Sequence, residues 1–298
     1  MDLVATLIAD PRRADLTADK VTAFQEMVAD NGGVARAPRW LGAGRACDME
    51  FDEWNLPDSR ALARTEFAAA EFDVVIQPRE GRRKQLLIAD MDSTIVTGET
   101  LDELAAHAGL KEQISEITAR AMRGEIDFKT ALRERVGKLA GLPVDALAKT
   151  LATTALTSGA RTLVQTMRAH GAYTVLVSGG FRFFTRDIAA QVGFHEELAY
   201  DFIIAGDHLT GNVAEPILDK DAKLRALNDY AAQRNLPISA TLATGDGAND
   251  LPMITAAGLG VAYHAKPIVE ADAPASIKWG DLTALLYVQG YSQAEFSS

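Results

Sequence analysis

The apolar run Leu86-Leu87-Ile88 is followed, where a buried strand should end, by Ala89-Asp90-Met91-Asp92-Ser93-Thr94. A short unbroken apolar run with a polar boundary reads as a strand covered on both faces. In an open sheet of such strands, ligands bind beyond the carboxyl ends. Two carboxylates at that place constrain the fold more than any other stretch of the chain. They can hold a divalent cation, and one can attack a phosphoryl group. Asp, Ser and Thr also favour a helix N-cap, so this stretch alone leaves both readings open.

The pattern further along favours a layered α/β fold. Helices are expected at 160–169, 185–192, 222–232 and 251–257. Strands are expected at 174–177, 241–244 and 259–262, with a strand or hairpin at 202–205 and 209–213. Strands alternating with helices predict a doubly wound parallel sheet with right-handed crossovers. Residues 97–156 break this rhythm and read as nearly all helix, punctuated by Gly109, Gly124, Gly141 and Pro143. Thr100-Leu101-Asp102-Glu103 fits a capping box at the start of that segment. Inserted directly after the first strand, the segment can cover Asp90 as a lid.

Residues 1–80 read as a separate small unit, and 81–298 as the rest. The expected order is strand 4–9, helix 17–29, strands 34–41 and 45–51, helix 59–70 capped by Asp58 or Ser59, and strand 74–76. That β-α-β-β-α-β order is ferredoxin-like and resembles the small-ligand-binding ACT fold. Residues 78–83 read as a polar linker, with Arg82-Arg83-Lys84 as a solvated charge run.

Of 298 residues, 30 are basic and 41 acidic, a net charge of −11 that argues against a nucleic-acid partner. No apolar run approaches the roughly 18–20 residues that span a membrane. The single cysteine, Cys47, and an amino terminus without a basic leader predict a cytoplasmic protein.

Two further expected strand ends carry chemistry. Ser178-Gly179-Gly180 lets backbone amides approach an anion, although a plain turn has the same composition. Gly245-Asp246-Gly247-Ala248-Asn249-Asp250 carries two acids and an amide that suit a magnesium oxygen-ligand set, or a turn with an N-cap. Its glycines also begin a dinucleotide fingerprint, but Asp250 stands at the final glycine and would repel pyrophosphate. Lys223 can neutralise a phosphate as a point cation, or lie on a solvated face. The five histidines show no metal-ligand spacing.

These stretches stand in the order of the four motifs of the haloacid dehalogenase superfamily. Within it, residues 90–94, 99–103, 117–124, 128–135, 245–253 and 260–267 resemble the phosphoserine phosphatases. The resemblance implies Asp90 as nucleophile and Asp92 as acid and base. It implies a Mg2+ ion held by Asp90, Asp246 and the backbone carbonyl of Asp92. Ser178, Gly179 and Lys223 would bind phosphate, with Asn249 and Asp250 orienting the ion's surroundings and Lys223. In a helical cap at about 97–156, Glu99 and Arg135 would hold the amine and carboxylate of O-phospho-L-serine, and Met122 and Phe128 would wall the site. The implied reaction is hydrolysis to L-serine and phosphate, the last step of serine biosynthesis. The same chemistry also serves a phosphotransferase or a phosphatase of another small ester. A homodimer through the N-terminal unit is a further expectation.

Overall fold

A computed structural model describes residues 2–122, 125–214 and 220–297, and the side chains of all of these except residues 121, 122, 128 and 220. Two sheets organise them. The antiparallel one comprises β1 (Leu3–Ala9), β2 (Val34–Ala35), β3 (Arg39–Gly42), β4 (Ala46–Asp52) and β5 (Phe72–Pro78), ordered β2-β4-β1-β5 with β3 also on β4. Helices α1 (Ala18–Asp30) and α2 (Leu56–Glu66) complete the β-α-β-β-α-β order. Thr17 caps α1 by accepting from the Lys20 N–H, and Val21, Phe24 and Val28 form its buried stripe.

β1 is buried at every position. Leu3, Ala5, Leu7 and Ala9 pack with Phe24, Val28 and Phe51. Ile8 points the other way and joins a cluster containing Leu285 and Tyr287. An antiparallel sheet commonly leaves one face to water; this one is covered on both.

The second sheet contains β6 (Leu86–Ala89), β7 (Tyr173–Phe181) and β8 (Glu196–Tyr200). The chain then makes a separate hairpin, β9 (Phe202–Ala205) and β10 (His208–Val213). It returns as β11 (Thr241–Gly245), β12 (Leu259–Tyr263) and β13 (Ala275–Ile277). The order is β13-β12-β11-β6-β7-β8, and every pairing is parallel. Between β6 and β7 lie α3 (Thr100–His107), α4 (Lys111–Met122), α5 (Phe128–Lys138) and α6 (Asp145–Thr153). The flanking helices are α7 (Ala160–Ala169), α8 (Arg182–Val192), α9 (Lys220–Gln233), α10 (Leu251–Ala256), α11 (Pro267–Asp272) and α12 (Ala284–Val288). Strand alternation sorts them. Leu87, Ala89, Leu176 and Val261 meet α7, α8 and α12. Leu86, Ile88, Val175 and Ala262 meet α9, α10 and α11. The doubly wound sheet is thus as expected, and among the described residues no helix is long and apolar enough to cross a membrane.

The helical insertion joins the sheet through a neck in which Val96 bridges Leu156 and the Thr97 N–H donates to Ala155 O at 2.9 Å. The β9–β10 hairpin clasps its far side. Gly141 N donates to Leu209 O at 2.8 Å, Leu209 N to Leu142 O at 2.9 Å, and Val144 N to Asp207 O at 2.9 Å.

Several local expectations are corrected. The strand expected at 34–41 is two short strands, because Pro38 lies between them and cannot donate to a ladder. α2 is capped by Asn55, which accepts from the Asp58 N–H at 2.9 Å; Pro57 suits the first turn because its position needs no N–H. No capping box forms at Thr100, since the carboxylate of Asp92 takes the Thr100 N–H.

The largest correction concerns Arg82-Arg83-Lys84, which is a staple and not a solvated linker. Arg82 donates to both oxygens of the buried Asp48 at 2.7 and 2.9 Å and to Val288 O. Arg83 lies over the Tyr291 ring, and Lys84 bonds Gly81 O and Ser239 O. Long cationic stems pack on apolar surface while their heads satisfy acceptors that would otherwise be stranded. Arg82→Ala should lower the unfolding free energy by about 2 kcal/mol, because it takes two charged hydrogen bonds from the buried Asp48, which keeps only the Thr6 hydroxyl and the exposed Arg39. Denaturant titration measures this, and a loss below about 1 kcal/mol would remove the staple from the list of stabilising contacts.

Candidate active site

The Asp90 N–H donates to Thr244 O at 3.0 Å, the last rung between the β6 and β11 strand ends. That rung brings Asp90 beside Asp246, which follows β11. The chain then makes a wide turn, Met91–Ile95, closed by the Val96 N–H on Met91 O at 3.0 Å. Asp92 is extended within it and Ser93 takes a left-handed φ of 55°. Ser93 donates its N–H to Gly98 O and its hydroxyl to Glu99 Oε1, which restrains that conformation. Asp92 Oδ1 accepts the Thr100 N–H at 2.8 Å, so a carboxylate sits at the N-terminus of α3, where the helix dipole favours it.

Lys223, in the first turn of α9, is 5% exposed. Its ammonium lies 2.6 Å from Asp90 Oδ1 and 2.5 Å from Asp250 Oδ1. The surface alternative for this lysine is therefore excluded. The other Asp250 oxygen accepts the Gly247 N–H at 3.0 Å. Gly245 is required by close approach, because a Cβ there would run into the Asp250 carboxyl group. Asp90, Asp246 and Asp250 offer oxygens within 4.8 Å of one another, all three buried. Both Asp250 oxygens are engaged by protein. Among the described residues nothing donates a hydrogen bond to the Asp246 carboxylate; Lys266 donates its N–H to Asp246 O at 3.2 Å, and its Nζ stands 4.0 Å from Oδ2. An all-oxygen donor set with one buried cation for three carboxylates fits a hard divalent ion.

The electrostatics follow from burial. Desolvation pushes the Asp90 carboxyl well above its usual range and Asp250 adds to this, against Lys223. Burial, then Glu99, pushes Asp92 up to about 7, against the Thr100 N–H. Burial, then Asp250, pushes Asp246 up to about 6. Burial works to lower the Lys223 pKa, but Asp250 and Asp90 overcome it and raise the value.

At the third strand end, the β7–β8 ladder shifts register between Val177 and Phe181, which frees Ser178-Gly179-Gly180 from regular pairing. Ser178 Oγ accepts the Gly180 N–H at 2.8 Å and lies 3.4 Å from Asp92 Oδ2. A Cβ on Gly180 would stand 3.1 Å from that same oxygen. Ser178 therefore touches the Asp92 side of the site, and the loop closes on its hydroxyl.

The insertion brings Glu99 and Arg135 towards this cluster. Glu99 is exposed and held by Ser93. Arg135 feels Asp102, Glu99 and Asp92, although burial pulls its pKa below the usual value. Its Nε is buried without a hydrogen-bond partner among the described residues. Asn249 is half-buried, and its Oδ1 occupies the space that a Cβ on Gly247 would need. The side chains of Met122 and Phe128 lie outside the described residues. Sequence reasoning overlooked Lys266 beside Asp246 and the Thr100 N–H on Asp92. Only the place of Lys266 within residues 260–267, which resemble the phosphoserine phosphatases, pointed to the first, and nothing local signalled the second.

Residues 87–255 match the haloacid dehalogenase-like hydrolase family. A phosphoserine phosphatase of Streptomyces coelicolor is 40% identical over 238 residues, 79% of this chain and 58% of that protein. The chain thus spans less than two thirds of that relative's length. A phosphoserine phosphatase of Streptococcus thermophilus is 43% identical over 205 residues, 69% of this chain and 95% of that protein. The crystal structure of a haloacid dehalogenase family hydrolase from Salmonella enterica serovar Typhi superposes with a TM-score of 0.83 at 28% identity, covering 97% of this chain and 98% of that one. With its parallel sheet, its strand-end acids and these relatives, the chain belongs to the haloacid dehalogenase-like hydrolases.

Proposed function

We propose that the protein is a Mg2+-dependent phosphatase that hydrolyses O-phospho-L-serine to L-serine and phosphate, the final step of serine biosynthesis. The observation that carries this reading is the buried Asp90 carboxylate at the end of β6, paired with Lys223 and beside Asp246. The names of the relatives support the substrate. A Mg2+ ion held by Asp90, Asp246 and the Asp92 backbone carbonyl would supply the charge that lets carboxylates approach a phosphate dianion.

Asp90 attacks phosphorus, and the bond between phosphorus and the serine oxygen breaks, giving an aspartyl phosphate. Asp92 protonates the departing oxygen and then takes a proton from the water that cleaves the intermediate. Lys223 and the Ser178-Gly179 loop hold the remaining phosphate oxygens. Asp250 keeps Lys223 aimed through its 2.5 Å contact, and Asn249 lines the same loop. Arg135 receives the substrate carboxylate and Glu99 its amine. The unpartnered Arg135 Nε supports that role. Met122 and Phe128 wall the substrate, and residues 81–298 form the catalytic domain with its cap at about 97–156. Residues 1–80 form a second domain, and exposed Val34 and Trp40 on its strands support pairing of two copies there.

The deciding experiment is phosphate release from O-phospho-L-serine with and without chelator. Activity should vanish with EDTA and return with Mg2+, and Asp90→Asn should lower kcat by about 10³-fold or more. Turnover that survives both treatments would remove Asp90 and the metal from the mechanism.

Arg135→Ala should weaken kcat/KM for O-phospho-L-serine by about tenfold to a hundredfold, the range for a charged hydrogen bond. Phosphoethanolamine, which lacks the carboxylate, should lose far less. Equal loss on both substrates would contradict carboxylate binding by Arg135.

A further inference from the structure

A cleft of about 370 Å³ lies between the antiparallel unit and the parallel sheet, and it shares no lining residue with the Asp90 site. One wall carries Arg60, Arg64 and Phe67, from α2 and its C-cap; the other carries Glu270, Ser276 and Trp279.

Most charged groups at this cleft are committed. The Asp73 carboxylate accepts the N–H groups of Lys278, Trp279 and Gly280. Glu270 pairs with Lys278 at 2.6 Å. Arg64 donates to Ala271 O and Ala273 O. Arg60 differs. Its Nε donates to Ile76 O at 2.8 Å, and among the described residues neither Nη has a partner. Among the described residues no acid offsets its charge, and burial together with Arg64 lowers its pKa.

A cation with a free planar fork and aromatic walls describe a ligand. A carboxylate meets the fork with two parallel bonds, and an apolar body suits Phe67 and Trp279. Asp73 and Glu270 at the cleft oppose a second negative charge, which favours a carboxylate over a phosphate dianion. We propose that this cleft binds a small carboxylate with an apolar body, held by Arg60 and Phe67 on one unit and Trp279 on the other. Because it touches both units, the ligand also tightens their docking.

The test uses the full chain and benzoate as the probe, followed by tryptophan fluorescence, since Trp279 lines the cleft. Benzoate should give a saturable change that uncharged benzyl alcohol does not. Arg60→Gln should raise the Kd for benzoate by about tenfold or more. Arg60→Lys, a milder change that keeps the charge without the planar fork and keeps the test open if Arg60→Gln fails to fold, should raise it about threefold. Turnover of O-phospho-L-serine in parallel monitors folding, because Arg60 does not belong to the catalytic machinery. The proposal is overturned if benzoate gives no saturable signal, if benzyl alcohol binds as well, or if both variants bind benzoate like the unaltered chain.

Discussion

The ammonium of Lys223, between Asp90 and Asp250, is the interaction on which the centre of the molecule depends. Three carboxylates lie buried with oxygens within 4.8 Å of one another. Desolvating an unpaired carboxylate costs several kcal/mol, and like charges at that range add to the cost. Lys223 offsets part of it. The remaining imbalance is the reason the strand ends suit a divalent cation, and each part of the surrounding fold serves to hold that imbalance in place. The Asp90–Thr244 rung fixes two acids side by side, and α9 presents the lysine from the layer below the sheet.

How much of this the sequence discloses depends on the range of the interaction. Strand ends marked by Asp90, Ser178 and Asp246 were legible because an apolar run and its polar terminus are adjacent in the chain. Helix and strand alternation was legible for the same reason. Lys223 read as a surface residue from its neighbours alone, because its burial depends on carboxylates that only the folded sheet brings near. Arg82 misled in the same way, since Asp48 and Val288 O lie far off in sequence. The elements left unread were short or atypical. β8 opens with two glutamates at a sheet edge, and α11, β13 and α12 have six residues or fewer. The Asn55 cap was hidden behind Pro57, which reads as a turn until it is placed in a helix's first turn.

The two units share more than a connecting segment. Asp73 and Gln77 reach backbone groups of the parallel-sheet unit, Arg82 reaches back from that unit to Asp48, and Ile8 and Val75 enter its hydrophobic cluster. The complete burial of β1 is the sequence-level trace of this: a run of seven residues with no outward polar face fits a strand with partners above and below. The antiparallel unit is therefore built to be covered, and exposing that face by separating the units would uncover Arg82 and Asp48 together.

The β9–β10 hairpin has a mechanical consequence for the helical insertion. A segment attached only by its neck would swing freely about Val96 and Leu156. This one is also gripped at residues 141–144, and the ring of Phe202 at the base of the hairpin stacks on Phe181 at 3.4 Å, three residues beyond Ser178. Insertion, hairpin and the Ser178 loop thus form one lever with two supports. A tilt that lifts the helices from Asp90 either carries the hairpin along and presses on Phe181, or parts three backbone bonds at once. Either path links the opening of the chamber to the loop that faces its contents.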